Sequence, residues 1–134
     1  KAGLPIIYPE IRQSYFSQTH HTQWNQLKPL IHDIDRMYKS LAPAQYKEQR
    51  QKADETYFKI HGTAFTTITT NVNYNTCVHR DKGDDPSGFG NLVVLQRGEY
   101  SGGETCFLQY GVGVDVREGD FLLMDVHQLQ LQFL

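Results

Sequence analysis

Two residues of this sequence, His79 and Asp81, have side chains whose type and spacing suit metal chemistry. Side chains repeat every second residue on an extended segment, so this imidazole and this carboxylate point to the same side. One strand end can therefore supply two ligands of a divalent metal. If a second histidine arrives from a distant strand, the ligands form the two-histidine, one-carboxylate triad that leaves open positions on iron(II).

An H-x-D tripeptide alone is a weak signal, and the elements around it strengthen it. A β-rich run from Thr63 to Asn71 precedes the pair, and a glycine-bounded run from Gly88 to Leu95 follows it. Further short runs are separated by glycine turns as far as Gly119. Short strands between such turns are typical of a β-sandwich or jelly roll.

The N-terminal part of the sequence predicts helices instead. Apolar residues recur at steps of three and four from Trp24 to Leu41, which indicates an amphipathic helix that Pro29 kinks or begins. A second, mostly polar helix is predicted from Pro43 to about Ala53, with Tyr46 as its apolar anchor. Before them, Leu4 to Tyr8 could add a short edge strand.

Composition limits the functional classes. A chain of 134 residues predicts a single domain, and its longest apolar run, Phe121 to Met124, is far shorter than the ~20 residues of a membrane helix. We therefore expect a soluble, intracellular protein. Cys77 and Cys106 are expected to be small core residues, because two cysteines make a poor disulfide framework and lack zinc-site spacing.

Charge argues against a strongly electrostatic DNA-binding protein, since the net charge is −2. Residues 1–62 carry nine Lys/Arg against six Asp/Glu, whereas residues 63–134 carry four against nine. Any basic surface that faces DNA is therefore expected on the N-terminal half. A solvated helix face explains the same excess equally well.

Several motifs in order resemble a known family: T-x-F-T-T-I-T-x-N, H-x-D-K-G-D, G-F-G-N-L, G-E-Y-S-G-G and G-D-F-L-L-M-D-V-H-Q. Together, from about Trp24 to Gln128, they look like the TET/JBP family, and are most similar to its compact fungal, phage and viral members. The resemblance implies iron(II)- and 2-oxoglutarate-dependent dioxygenases that oxidise the 5-methyl group of pyrimidines in DNA.

The resemblance also implies a fold. We expect an α+β domain over residues 1–134, with a lead-in and bracing helices in residues 1–62. Residues 63–134 would form a double-stranded β-helix, or jelly-roll, core.

The resemblance assigns roles to five residues. His79 and Asp81 would be catalytic and would bind the metal, Fe(II). Asn71 and Asn73 are candidates for binding the co-substrate 2-oxoglutarate, although asparagines that form a turn explain them equally well. Asp84 matches an acidic residue that contacts the Watson–Crick edge of the flipped cytosine, whose exocyclic amine is a donor. An ordinary turn is the alternative for Asp84.

The third ligand is where the sequence departs from the family. Gln130 stands where the distal histidine is expected, and glutamine is a poor iron ligand. His127 is the nearest substitute, but an offset of three residues puts it on the opposite strand face unless a bulge intervenes. The arginine that clamps 2-oxoglutarate in the family belongs to a later strand. We therefore expect the core to be incomplete or altered at its C-terminal end.

These observations predict a dioxygenase that oxidises the 5-methyl group of a flipped pyrimidine in DNA, with 5-methylcytosine as first choice and thymine as second. The expected partners are DNA, 2-oxoglutarate and dioxygen, without a membrane, for a monomer that would be nuclear in a eukaryote. One alternative is a catalytically inactive jelly-roll module that binds DNA or a protein. Another is a dioxygenase of this fold that acts on a different substrate.

Overall fold

The computed structural model describes residues 14–81 and 84–134, where helices precede short strands. The helices are α1 (Tyr15–Thr19), α2 (His21–Leu41) and α3 (Pro43–Glu55). In the described ranges, no helix has the length and apolar character needed to cross a membrane. The edge strand predicted from Leu4 to Tyr8 lies outside these ranges, as do Lys82 and Gly83 of the loop after Asp81.

Both predicted helices are confirmed. Helix α2 begins at His21, slightly before the predicted start, and Pro29 lies in its interior rather than in its first turn. Helix α3 begins at Pro43, at a position where the missing N–H of proline is not needed. Its anchor is Tyr46, which is buried as the sequence predicts.

The first core cluster joins the two long helices to the start of the β region. Its buried members are Tyr38, Ala42, Tyr46 and Ala64, and Phe65, Phe89, Phe121 and Leu123 pack against it. The Tyr38 ring meets the Tyr46 ring edge-on with centroids 5.5 Å apart, and it stacks on Phe65 at 6.2 Å. Apolar burial of these rings therefore fixes the helices against the sheet, as a bracing role requires.

A buried carboxylate, Asp35, stabilises the same junction. Its Oδ2 accepts a hydrogen bond from the Tyr46 hydroxyl at 3.0 Å, and its Oδ1 accepts one from the Ala64 amide at 2.7 Å. Burial raises the pKa of the Tyr46 hydroxyl, and the Asp35 carboxylate beside it raises that pKa further. Asp35 thus joins α2, α3 and the chain that follows them.

The strands form two antiparallel sheets. In the first, β1 (Gly90–Val93) pairs with β4 (Phe121–Met124). In the second, β2 (Thr105–Phe107) lies between β3 (Val112–Val114) and β5 (Leu131–Phe133). A second buried cluster, made of Phe107, Met124, Val126 and Leu131, draws members from both sheets. Helices combined with antiparallel sheets confirm the predicted α+β class.

The strand predicted from Thr63 to Asn71 is wrong, because the structure has no strand in this segment. Its first residues form a turn instead: the Ile60 amide donates to Phe65 O at 2.9 Å and the Thr63 amide donates to Ile60 O at 3.1 Å. The Ala64 amide donates its hydrogen bond to the Asp35 side chain. Local turn bonds and a helix side chain thus replace the strand ladder, although threonine and isoleucine favour strands.

The cysteine prediction is confirmed only in part. Both cysteines are free thiols, as expected. Cys106 is half-buried in β2, whereas Cys77 is exposed and is not a core residue. Cys77 lies just before the H-x-D pair, where its carbonyl rather than its side chain makes the structural contact.

Candidate metal and substrate site

The H-x-D pair lies beside β5. The backbone of His79 forms an antiparallel bridge with Leu131, the first residue of β5. This bridge fixes the position of the His79 backbone, from which the imidazole extends. The Nδ1 atom of His79 is 2.8 Å from Cys77 O, and its Nε2 is 3.5 Å from Asp81 Oδ1. A carbonyl on one ring nitrogen sets the tautomer and leaves the other free to bind a metal. The predicted pair is therefore brought together.

A cleft of about 800 Å³ opens in front of this pair. Its walls come from α2 and α3, the irregular segment after them, β1, and the ends of β4 and β5. Polar residues that line it include His79, Asp81, Asp84, Asp85, Asn71 and Asn91. Such a cleft with convergent polar groups is the usual form of a small-molecule or base pocket.

Asp84 lines the cleft, as a residue that contacts a substrate must. The pKa of its carboxyl is raised above its ordinary value, first because protein atoms exclude water from it and second because Asp81 is negative; His127 opposes the shift. The ring of His127 contacts the backbone carbonyl of Asp84 through Nε2. His127 therefore borders the same loop.

The two asparagines predicted to bind the co-substrate are placed differently. Asn71 lies on the cleft wall, whereas Asn73 is not among the residues that line the cleft. Asn73 is exposed and has a φ of 48°, the left-handed conformation that asparagine adopts in turns. The geometry thus supports a cleft role for Asn71 and a turn role for Asn73.

The expected third ligand is not brought to the pair. Gln130 directly precedes Leu131, which faces His79 across the bridge, so strand alternation directs Gln130 to the opposite side. The Gln130 amide donates to Gln109 Oε1 at 2.6 Å. In the part of the chain that the structure describes, no cluster of three His, Cys, Asp or Glu side chains could hold a metal.

The described residues therefore fit an iron(II) site in part. His79 Nε2 and Asp81 Oδ1 are suitable ligands for two positions of a divalent ion. Lys52 is the only lysine or arginine among the described residues that line the cleft, and it pairs with Asp85. It is not free to act as the bidentate carboxylate clamp that an arginine would provide.

Sequence reasoning missed a set of residues that hold the loop containing Asp84. They are Tyr38, Gln49, Lys52, Asp85 and Ser87. The D-x-S pattern from Asp85 to Ser87 is the one local sequence signal for this set of residues. An aspartate side chain in a turn commonly accepts a hydrogen bond from the backbone amide two residues later, as Asp85 does from Ser87. The helix partners had no sequence signal, because they contact the loop only in the folded chain.

Comparisons with known proteins identify the family of the chain. Residues 7–130 match the family model Tet_JBP, described as the oxygenase domain of the 2OGFeDO superfamily. No solved structure gives a significant match to the chain.

Curated relatives include proteins of Trypanosoma and Leishmania. "Thymine dioxygenase JBP1" of Trypanosoma brucei brucei is 35% identical over 125 residues, which cover 93% of this chain and 14% of that protein. "Bifunctional helicase and thymine dioxygenase JBP2" of Leishmania braziliensis is 36% identical over 114 residues, 85% of this chain and 10% of that protein. "Thymine dioxygenase JBP1" of Leishmania infantum is 28% identical over 125 residues, 93% of this chain and 15% of that protein. The chain thus spans a small part of their length.

These matches confirm the expected enzyme class, a 2-oxoglutarate-dependent dioxygenase, and the expected cofactors, Fe(II) and 2-oxoglutarate, at the level of the family. By its match over residues 7–130, the chain belongs to the Tet_JBP family of oxygenase domains.

Proposed function

We propose that this domain oxidises the 5-methyl group of a pyrimidine in DNA. The observation that carries the proposal is the pairing of His79 with Asp81 at the wall of a cleft that also exposes Asp84. Bound iron(II) and 2-oxoglutarate would supply the oxidising power with dioxygen. The protein's own residues would bind the metal, orient the base and keep bulk water from the cleft.

The names of the relatives favour thymine as the base, ahead of the 5-methylcytosine that the resemblance first suggested. Both bases carry a 5-methyl group and an N–H donor on the Watson–Crick edge, so the Asp84 carboxylate can accept a hydrogen bond from either. A methyl group inside a duplex is out of reach of the cleft, and the base must leave the stack. Thymine is therefore the first substrate to test.

We also propose that the two sheets are parts of a jelly-roll core within a single, monomeric domain. The shared cluster of Phe107, Met124, Val126 and Leu131 supports this, because it joins both sheets into one apolar interior. In this reading Asn71 contacts the co-substrate from the cleft wall. A DNA substrate implies an intracellular protein, nuclear in a eukaryote.

The experiment is product analysis after incubation with iron(II), 2-oxoglutarate and oligonucleotides that contain thymine or 5-methylcytosine. We expect 5-hydroxymethyluracil, with succinate in equal amount, and the loss of both in His79→Ala and Asp81→Ala. The control is His61→Ala, which changes an exposed histidine outside the cleft lining. Turnover that survives the His79 and Asp81 substitutions would disprove the assignment.

One observation favours a second candidate, a module that binds DNA or a protein without catalysis. The described residues 14–81 and 84–134 contain no three-membered ligand cluster around His79. Such a module would bind the same oligonucleotides and would form no hydroxymethyl product at any metal concentration. The product analysis therefore separates the two candidates.

A further inference from the structure

The loop from Asp84 to Phe89 is held by a lysine of α3. The Nζ atom of Lys52 is 2.5 Å from Asp85 Oδ1 and 2.7 Å from Ser87 Oγ. Asp85 Oδ1 also accepts hydrogen bonds from the Ser87 amide at 3.0 Å and the Ser87 hydroxyl at 2.9 Å. One ammonium group and one carboxylate oxygen thus close the turn directly after Asp84.

A second contact fixes the far end of the loop to the core. The Phe89 amide donates to the Tyr38 hydroxyl at 2.9 Å, and that hydroxyl donates to Gln49 Oε1 at 2.9 Å. Gln49 Nε2 in turn donates to Ala64 O at 3.3 Å. Tyr38 is fully buried, so this end is part of the folded interior.

The contact made by Lys52 is more exposed to solvent than the contact made by Tyr38. The Lys52 side chain is 53% exposed and its partner Asp85 is 17% exposed. Because its lysine is solvent-exposed, this ion pair contributes only modestly to global stability. Its main effect is therefore local, and the residue next to Asp85 in the chain is Asp84, which lines the cleft.

We propose that Lys52 is a positioning residue: by holding Asp85 and Ser87, it orients the Asp84 carboxylate to accept a hydrogen bond from an N–H group of the target base. A carboxylate discriminates between donors and acceptors only if it is held in place, because an ångström of misplacement breaks the bond. This inference rests on the proposed function, in which Asp84 contacts the base.

The test measures base discrimination with two probes. One is a single-stranded oligonucleotide with one thymine, and the other carries N3-methylthymine at that position, which removes the N–H donor. The proteins are wild type, Lys52→Met, Lys52→Arg and Lys47→Met, the last being a matched control at an exposed lysine of the same helix. Fluorescence anisotropy gives the affinities, and hydrogen exchange of the Ser87 and Phe89 amides reports whether the loop is held.

We expect wild type and Lys47→Met to prefer the thymine probe by about tenfold, the effect of one hydrogen bond to a charged group. Lys52→Met should bind the two probes within about twofold of one another, with faster exchange at Ser87 and at most a small decrease in melting temperature. Lys52→Arg keeps the cation and should restore most of the preference. A residue that only stabilised the fold would not change discrimination at a temperature at which every variant is fully folded.

Two results overturn the proposal, and they are distinguishable. If wild type prefers thymine and Lys52→Met keeps that preference, the positioning role is wrong while base contact by Asp84 stands. If wild type shows no preference, base contact by Asp84 fails together with the positioning role. In that case the amide exchange of Ser87 still shows whether Lys52 holds the loop at all.

Discussion

His79 and Leu131 exchange both of their backbone hydrogen bonds, with His79 N to Leu131 O at 3.0 Å and Leu131 N to His79 O at 2.9 Å. The two side chains therefore lie on one face of the pair. If the extended register continued beyond this isolated bridge, Leu129 would lie opposite Asp81 on that face and Gln130 on the other. Leu129 packs against the same cluster as Leu131, in agreement with this alternation.

The register predicts where a histidine would complete a metal site. We expect Leu129→His to raise the affinity for Co²⁺, an oxygen-stable probe, by about tenfold or more over wild type, because a second imidazole adds a third ligand to His79 and Asp81. Gln130→His is the matched control and should change the affinity by less than about threefold. Calorimetric titration measures the Co²⁺ affinity of both variants. A higher affinity in Gln130→His than in Leu129→His would mean that the pairing register is shifted by one residue before Leu131.

Asp35 should be the most costly carboxylate to remove from the helices. Asp35→Ala leaves the Tyr46 hydroxyl and the Ala64 amide without their acceptor, and we expect a loss of about 2–4 kcal/mol in the free energy of unfolding. Asp33→Ala removes only an exposed ion pair with Arg36 and should cost less than about 1 kcal/mol. Urea unfolding checks both, and equal losses would contradict the buried network.

Gly88 is needed because Gln49 lies against it. A Cβ atom at Gly88 would lie 2.1 Å from Gln49 Oε1, the atom that accepts from Tyr38. We expect Gly88→Ala to destabilise the protein by about 1–3 kcal/mol, as overpacking does. The Gly88→Ala, Gln49→Ala double variant should lose less stability than the sum of the two single variants, because the clash is absent once Gln49 is shortened. A thermodynamic cycle of the three variants measures the coupling, and strictly additive effects would count against it.

The Lys52 contact predicts a pH dependence. Burial raises the pKa of the Asp85 carboxyl, but hydrogen bonds from Lys52 and Ser87 outweigh it, so the pKa lies below the ordinary value of 3.8. A carboxyl whose pKa is lower in the folded state than in the unfolded state stabilises the fold at pH values above its unfolded-state pKa. This stabilisation is lost as the pH falls through the folded-state pKa. Wild type should therefore lose its advantage over Asp85→Asn on acidification from about pH 6 to about pH 3.

Urea unfolding of wild type and Asp85→Asn at both pH values measures this difference. The exposed Asp33→Asn variant is the control for a general charge effect, since it removes one carboxylate remote from the loop. A constant difference between wild type and Asp85→Asn across the pH range would show that the Lys52 bond does not lower the pKa of Asp85.

The sequence by itself determined the features that depend on local spacing. The apolar stripe fixed α2, Pro43 fixed the start of α3, and the H-x-D spacing brought His79 and Asp81 together, since each follows from backbone geometry over a few residues. Several motifs in a fixed order were enough to indicate the family that the match over residues 7–130 shows.

Only the tertiary structure decided which distant residues meet. The run from Thr63 to Asn71 has strand-forming residues, yet its first backbone amides donate to a turn carbonyl and to the Asp35 side chain instead of to a neighbouring strand. The face of Gln130 depends on its register against His79, and Lys52 reaches Asp85 across 33 residues of sequence. Propensity and spacing encode neighbours along the chain, whereas pairing and burial select partners across it, and no short pattern specifies that selection.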